Sequence, residues 1–245
     1  MPEEMLAYLR SFAFTLAFLA SVVLFGIACL PVLLAPPRTV AAVLRAWSRT
    51  VLWSLRVCTG IRAEIQGRDH LPPTPCLIAS KHQSTWETIV FNLLLDNPAF
   101  VLKRELLRLP VYGWYAWRAG HIPIDRQGGA RAMRRMLRAA DKAVRGGRSV
   151  IIFPEGTRVA PGQTRPYHPG VAGLYRHLRV PVVPVAVNSG LFWGRRRFLK
   201  KPGTITLRFL PPIPPGLERS TFLAELERRI EDATNALIDA RGGAH

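Results

Sequence analysis

The octet Lys81-His82-Gln83-Ser84-Thr85-Trp86-Glu87-Thr88 sets an imidazole and a carboxylate five residues apart. On a regular helix five steps turn two side chains about 140° away from each other, so both cannot project from one helix toward one point. They meet only if His82 lies in a turn and Glu87 in the first turn of the following helix, with Ser84 or Thr85 as its N-cap. A carboxylate beside an imidazole fixes its tautomer and stabilises the imidazolium, which makes His82 a candidate general base. No serine or cysteine in a nucleophile-elbow motif accompanies it, so the proton it takes would come from a substrate hydroxyl. Taken alone, the pair reads more simply as a histidine satisfied by a helix-capping glutamate.

A second constellation is Phe153-Pro154-Glu155-Gly156-Thr157-Arg158. Gly156 lets backbone approach a ligand, Thr157 offers a hydroxyl, and Arg158 presents a planar fork suited to phosphate. The competing account is a loop salt bridge between Glu155 and Arg158. Both constellations follow apolar, β-rich runs, so the elements around them matter.

Those elements alternate. Short β-rich runs at 76–80, 99–102, 149–153, 182–187 and 205–209 predict strands, and 86–95, 130–145, 171–177 and 220–240 predict helices. The alternation points to an α/β fold, a mixed sheet covered by helices, rather than a β-sandwich or a bundle. The last helix mixes acids and bases and is expected on the outside of the domain, away from the chemistry.

The first sixty residues differ. Residues 11–34 form 24 consecutive uncharged positions, enough to cross a hydrocarbon core of about 30 Å. The run is longer than the apolar region of a secretory signal, and no A-x-A site closes it. After Pro36-Pro37, residues 40–58 place Arg45, Arg49 and Arg56 on one helical face, with Trp47, Trp53 and leucines around the rest. The expected organisation is a membrane-associated two-helix segment over 1–60 and an α/β domain over 61–245. Whether the pair spans the membrane or lies in its interface stays open.

Lys and Arg number 34 against 16 Asp and Glu, a formal charge of +18. Such a chain seeks polyanions. Between residues 126 and 148, eight basic residues stand against Asp141 alone, and Arg195-Arg196-Arg197 with Lys200-Lys201 adjoin Phe192, Trp193 and Phe198. Cations among aromatics suit an anionic membrane surface or an acidic acyl carrier protein. Nucleic acid is not expected as a partner, since no helix-turn-helix, zinc or RNA-binding signature appears and the apolar N-terminus would have no role. The three cysteines are dispersed and predict neither a disulfide framework nor a metal site, so a reducing compartment is indicated.

Four blocks together resemble the 1-acyl-sn-glycerol-3-phosphate acyltransferase family of glycerolipid acyltransferases, over about residues 65–215. His82 through Glu87 resembles the H-x4-D block, with Glu87 standing where the family carries aspartate. Lys103-Arg104-Glu105-Leu106, with Pro110-Val111-Tyr112-Gly113 and Gly120 through Arg126, resembles the second. Phe153 through Arg158 resembles the third, followed by Tyr167-His168-Pro169-Gly170, and Val180 through Val185 the fourth.

The resemblance implies transfer of a fatty acyl group from acyl-CoA or acyl-acyl carrier protein to lysophosphatidic acid, without a cofactor or metal. His82 would be the base and Glu87 its orienting partner. Arg126, Arg158 and Lys103 would hold the acceptor phosphate, and Glu155, Gly156 and Thr157 would shape its pocket. It also implies an inner-membrane protein with its catalytic body on the cytoplasmic side, the side to which the basic excess after Leu34 points. Rival readings are transfer to another lysolipid, such as a lysophospholipid or lyso-ornithine lipid, a basic protein binding nucleic acid, and a non-catalytic membrane tether.

Overall fold

A computed structural model describes residues 2–125 and 127–242. Helices α1 (Pro2–Ala28) and α2 (Pro37–Thr59) come first, joined by a short 3-10 turn at Leu30–Leu34 and the Pro36-Pro37 pair. Gly60 ends α2 in the left-handed region (φ 73°), its N–H donating to the Arg56 carbonyl, and the chain reverses into β1 (Ile61–Gln66). Then follow β2 (Leu77–Ser80), α3 (Trp86–Leu94), β3 (Ala99–Lys103), α4 (Tyr112–Arg118), β4 (Ile122–Ile124) and α5 (Gly129–Arg145). The chain continues through β5 (Val150–Ile152), α6 (Gly170–Leu178), β6 (Val182–Val187), β7 (Gly203–Phe209) and α7 (Arg219–Gly242).

The seven strands form one sheet in the order β1-β7-β6-β2-β5-β3-β4. Neighbours are parallel except β6 with β7, so the sheet is mixed, as the alternation of runs implied. Strand alternation divides the core between its two faces. Leu77 and Ala79 meet Met136 and Ala140 of α5, Leu174 of α6 and Leu226 and Ile230 of α7. Ile78 turns the other way and joins Val51 and Leu55 of α2, Ile89 of α3 and Phe14 of α1. The central strand β6 is buried at every position, which explains its unbroken apolar run. Pro184 is accommodated where the β7 ladder gives way to the strand's exit; its carbonyl accepts the Leu210 N–H at 2.9 Å.

All five expected strands and all four expected helices are present, within three residues at their ends. Strands β1 and β4 and helix α4 were not foreseen. The first is a polar strand, IRAEIQ, and the second is three residues with a central proline.

The N-terminal helices form a hairpin seated on the α/β body. Ser11 Oγ accepts the Lys200 N–H (2.9 Å), Trp47 Nε1 donates to Ser21 Oγ (3.1 Å), and the Phe14 ring meets Trp193 edge-on at 5.1 Å. The Tyr115 hydroxyl of α4 donates to the Gly26 carbonyl at 3.3 Å. On the opposite side of α1, Leu9, Phe12, Leu16, Leu19 and Val23 recur at helical spacing and are exposed. The helix over Glu4–Ala28, whose most apolar 18-residue stretch has a mean hydropathy of 2.2, is long and apolar enough to cross a membrane.

One expectation for α2 needs correcting. Arg45 does not continue the basic stripe of Arg49 and Arg56. It turns inward to the C-terminal end of α3, donating to the Asn92 and Leu95 carbonyls and pairing with Asp96 at 2.8 Å. Unsatisfied carbonyls at a helix C-terminus attract a guanidinium, and that pull outweighs exposure.

Candidate active site

Strands β5, β2 and β6 are adjacent and mutually parallel, so the loops that follow them emerge at one edge of the sheet. This is where open α/β sheets bind ligands. His82 is the second residue past β2. Its carbonyl accepts the Val159 N–H (2.8 Å) from the loop after β5, and Gln83 Oε1 accepts the Gly190 N–H (3.0 Å) from the loop after β6. The imidazole stacks on Phe153 with centroids 4.0 Å apart and planes 20° apart.

Helix α3 begins at Trp86, which puts His82 in the turn and Glu87 in the first helical turn, as the spacing required. The cap differs from expectation. Neither Ser84 nor Thr85 caps α3 in the usual way: Ser84 Oγ accepts the Trp86 N–H (3.2 Å), and Thr85 makes no side-chain cap bond. Glu87 does the work, its fully buried carboxylate accepting the Gln83 N–H at 2.6 Å and the Ser84 N–H at 2.9 Å. The extra methylene over aspartate lets the carboxylate reach back over the turn. His82 Nδ1 lies 3.9 Å from Glu87 Oε1, close enough for charge but too long for a hydrogen bond. Nδ1 is buried without a hydrogen-bond partner, an arrangement that often tightens only when substrate is bound.

The Phe153–Arg158 loop surrounds His82 from the β5 side. Gly156 adopts the left-handed region (φ 67°) and its N–H closes a turn onto the Phe153 carbonyl. Thr157 is half-buried in the same loop. The half-buried Arg158 guanidinium donates to Thr85 Oγ1 at 2.9 Å. Burial pulls its pKa below the ordinary arginine value; the Glu87 charge opposes that, while Arg195 and Arg196 add to it. The proposed loop salt bridge between Glu155 and Arg158 does not form.

Glu155 is the clear correction. Its side chain is 0% exposed and cannot line an acceptor pocket. One oxygen lies 2.7 Å from Lys81 Nζ and the other accepts the His82 N–H at 3.1 Å. Burial pushes its pKa up to about 6, with Lys81 and the His82 N–H opposing and Glu231 adding to the rise. Lys81 also meets Glu231 of α7 at 2.7 Å, so the C-terminal helix, expected to lie outside the site, reaches its supports.

Lys103 lies exposed at the end of β3, its ion partner Glu105 at 3.9 Å. Arg126 lies outside the described residues. A groove of about 410 Å³ opens between the C-terminal half of α2 and the start of β1. Leu52, Trp53, Leu55, Ile61 and Trp86 line it, with the exposed Arg56 and Arg62. Trp86 is the first residue of α3 and immediately precedes Glu87.

The Acyltransferase family model matches residues 62–188. A 1-acyl-sn-glycerol-3-phosphate acyltransferase of Pseudomonas aeruginosa is 38% identical over 189 residues, 77% of this chain and 74% of that protein. The sheep 1-acyl-sn-glycerol-3-phosphate acyltransferase alpha is 31% identical over 203 residues, 80% of this chain and 71% of that one. In fold, the chain is similar to the crystal structure of a 1-acyl-sn-glycerophosphate acyltransferase from Thermotoga maritima. The TM-score is 0.75 at 20% identity, covering 94% of this chain and 95% of the other. With a histidine–carboxylate turn at the sheet edge and these matches, the chain is an acyltransferase and belongs to the 1-acyl-sn-glycerol-3-phosphate acyltransferase family.

Proposed function

We propose that the protein transfers a fatty acyl group from an acyl thioester to the sn-2 hydroxyl of 1-acyl-sn-glycerol 3-phosphate, giving phosphatidic acid. The observation that carries this reading is the turn that holds His82 and Glu87 at 3.9 Å with Arg158 bonded to Thr85 in the same turn. A base for a hydroxyl and a fork for a phosphate thus stand side by side. His82 removes the hydroxyl proton as the oxygen attacks the thioester carbonyl, and the tetrahedral oxyanion collapses with release of the thiolate. The Glu87 charge favours the imidazolium formed in that step. No acyl-enzyme is needed, and no cofactor enters the chemistry.

Arg158 takes the acceptor phosphate, with Arg195 and Arg196 strengthening the positive field and Lys103, at the end of β3, as a further contributor; Arg126 keeps the phosphate-binding role that the family resemblance implies. The groove beside Trp86, apolar along Leu52, Trp53, Leu55 and Ile61 and basic at Arg56 and Arg62, suits an acyl chain with an anionic end. The donor is acyl-CoA or acyl-acyl carrier protein. The test compares lysophosphatidic acid with its dephosphorylated analogue, 1-acylglycerol, as acceptors. Arg158→Ala should raise KM for lysophosphatidic acid about 10- to 100-fold and leave the slow turnover of 1-acylglycerol nearly unchanged. Equal losses on both acceptors would remove Arg158 from phosphate binding.

The same reading makes α1 the membrane-facing element and puts the catalytic body on the cytoplasmic face of the inner membrane. The exposed apolar row of α1 supports it, as do the exposed Trp53 on α2 and Trp114 and Trp117 on α4. Replacing Leu16 and Leu19 together by aspartate should abolish flotation with vesicles of anionic phospholipid while leaving the protein folded. Unchanged flotation would take α1 out of membrane binding.

A further inference from the structure

We propose that the buried cluster of Lys81, Glu155, Glu231 and Tyr167 is the positioning device for His82, and that through it helix α7 sets the geometry of the base. The proposal rests on the reading of His82 as the base.

Lys81 ends the β2 edge one residue before His82, and its side chain is 1% exposed. An ammonium removed from water so completely must be surrounded by acceptors, and these come from the β5–α6 loop and from α7. Glu155 Oε1 approaches from the start of that loop (2.7 Å), the Gln163 carbonyl from further along it (3.2 Å), and both Glu231 oxygens from α7 (2.9 and 2.7 Å). The Tyr167 hydroxyl donates to Glu231 Oε1 at 3.0 Å and fixes that carboxylate in turn. Burial and the neighbouring carboxylates push the Tyr167 pKa upward, so it stays a hydrogen-bond donor. The last contact reaches the base: Glu155 Oε2 accepts the His82 N–H at 3.1 Å. A chain of direct contacts thus runs from α7 through Glu231, Lys81 and Glu155 to the His82 peptide.

Cohesion alone does not account for it. Buried ion clusters can often be replaced by apolar side chains without loss of stability, so this one is a costly way merely to fasten a helix. What an apolar core could not supply is an ionised acceptor for the His82 N–H at a fixed place. Burial works against the charge on Glu155; of the groups that face it, Lys81 and the His82 N–H favour the charge and Glu231 opposes it.

That balance supplies a signature which simple loosening of the fold would not. Lys81→Met removes the attraction on Glu155, so the acidic limb of the kcat–pH profile should move to higher pH. Glu231→Gln removes a repulsion and leaves Lys81 to Glu155, so the limb should move to lower pH. In the full-length detergent-solubilised enzyme, Lys81→Met should lower kcat about tenfold or more with KM for lysophosphatidic acid within about twofold. Opposite shifts of the limb in the two variants support the proposal. Profiles that coincide with the wild type, in variants altered only in thermal stability, would overturn it. Should Lys81→Met fail to fold, the direction of the Glu231→Gln shift decides alone. His82→Ala, assayed in parallel, separates the two claims: if it stays active, the base assignment falls, whereas an inactive His82→Ala beside unshifted variants refutes only the positioning device.

Discussion

Replacing His82 by alanine should lower kcat for acyl transfer by about a thousandfold, with KM for both substrates nearly unchanged. A positioned base contributes about 10² to 10⁴ to the rate. The imidazole Nδ1 makes no hydrogen bond, and the ring is held only by its stack on Phe153 and the 3.9 Å approach to Glu87, so its loss should leave the fold intact. Its peptide stays held by Glu155 and Val159 whatever the side chain. The check is single-turnover acyl transfer beside a thermal melt. A variant with normal stability and more than a tenth of wild-type kcat would contradict the assignment.

Glu87→Ala should damage both activity and stability, and the two can be separated. Its carboxylate is the acceptor for the buried Gln83 and Ser84 N–H groups, and removing it strands both donors. Each stranded donor costs about 1–3 kcal/mol, so the melt should show a loss of about 2–6 kcal/mol. Glu87→Gln keeps one oxygen for those donors and should recover most of that stability. It does not restore the charge 3.9 Å from His82 Nδ1, so its kcat should remain about a hundredfold low. If Glu87→Gln is fully active, the glutamate only shapes the turn, and the capping account of the pair is the correct one.

How far the sequence could be read depended on the kind of signal each feature carries. The run over 182–187 was unmistakable because a central strand covered on both faces must be apolar throughout, and β6 is buried at every position. Strand β4 left no comparable trace, since three residues around Pro123 give no periodicity to detect. The His82–Glu87 geometry was legible because only one placement of a turn and a helix start brings the two together. The partners of Glu155 were not. A glutamate within E-G-T-R reads as a pocket residue or as a partner for Arg158, and nothing local reveals that it faces a lysine one residue before His82. Glu231 lies 150 positions from Lys81, on a helix whose mixed charges look like ordinary solvent exposure. A charge directly after the buried strand Leu77–Ser80 was the one available hint, because a lysine there must find company.

The most direct test offers one labelled acyl thioester to the purified enzyme with lysophosphatidic acid, lysophosphatidylcholine and lyso-ornithine lipid as competing acceptors. Acyl-CoA and acyl-acyl carrier protein are each tried as donor. Selective conversion of lysophosphatidic acid to phosphatidic acid is the expected result. Transfer confined to lysophosphatidylcholine or lyso-ornithine lipid, with lysophosphatidic acid untouched, would contradict it.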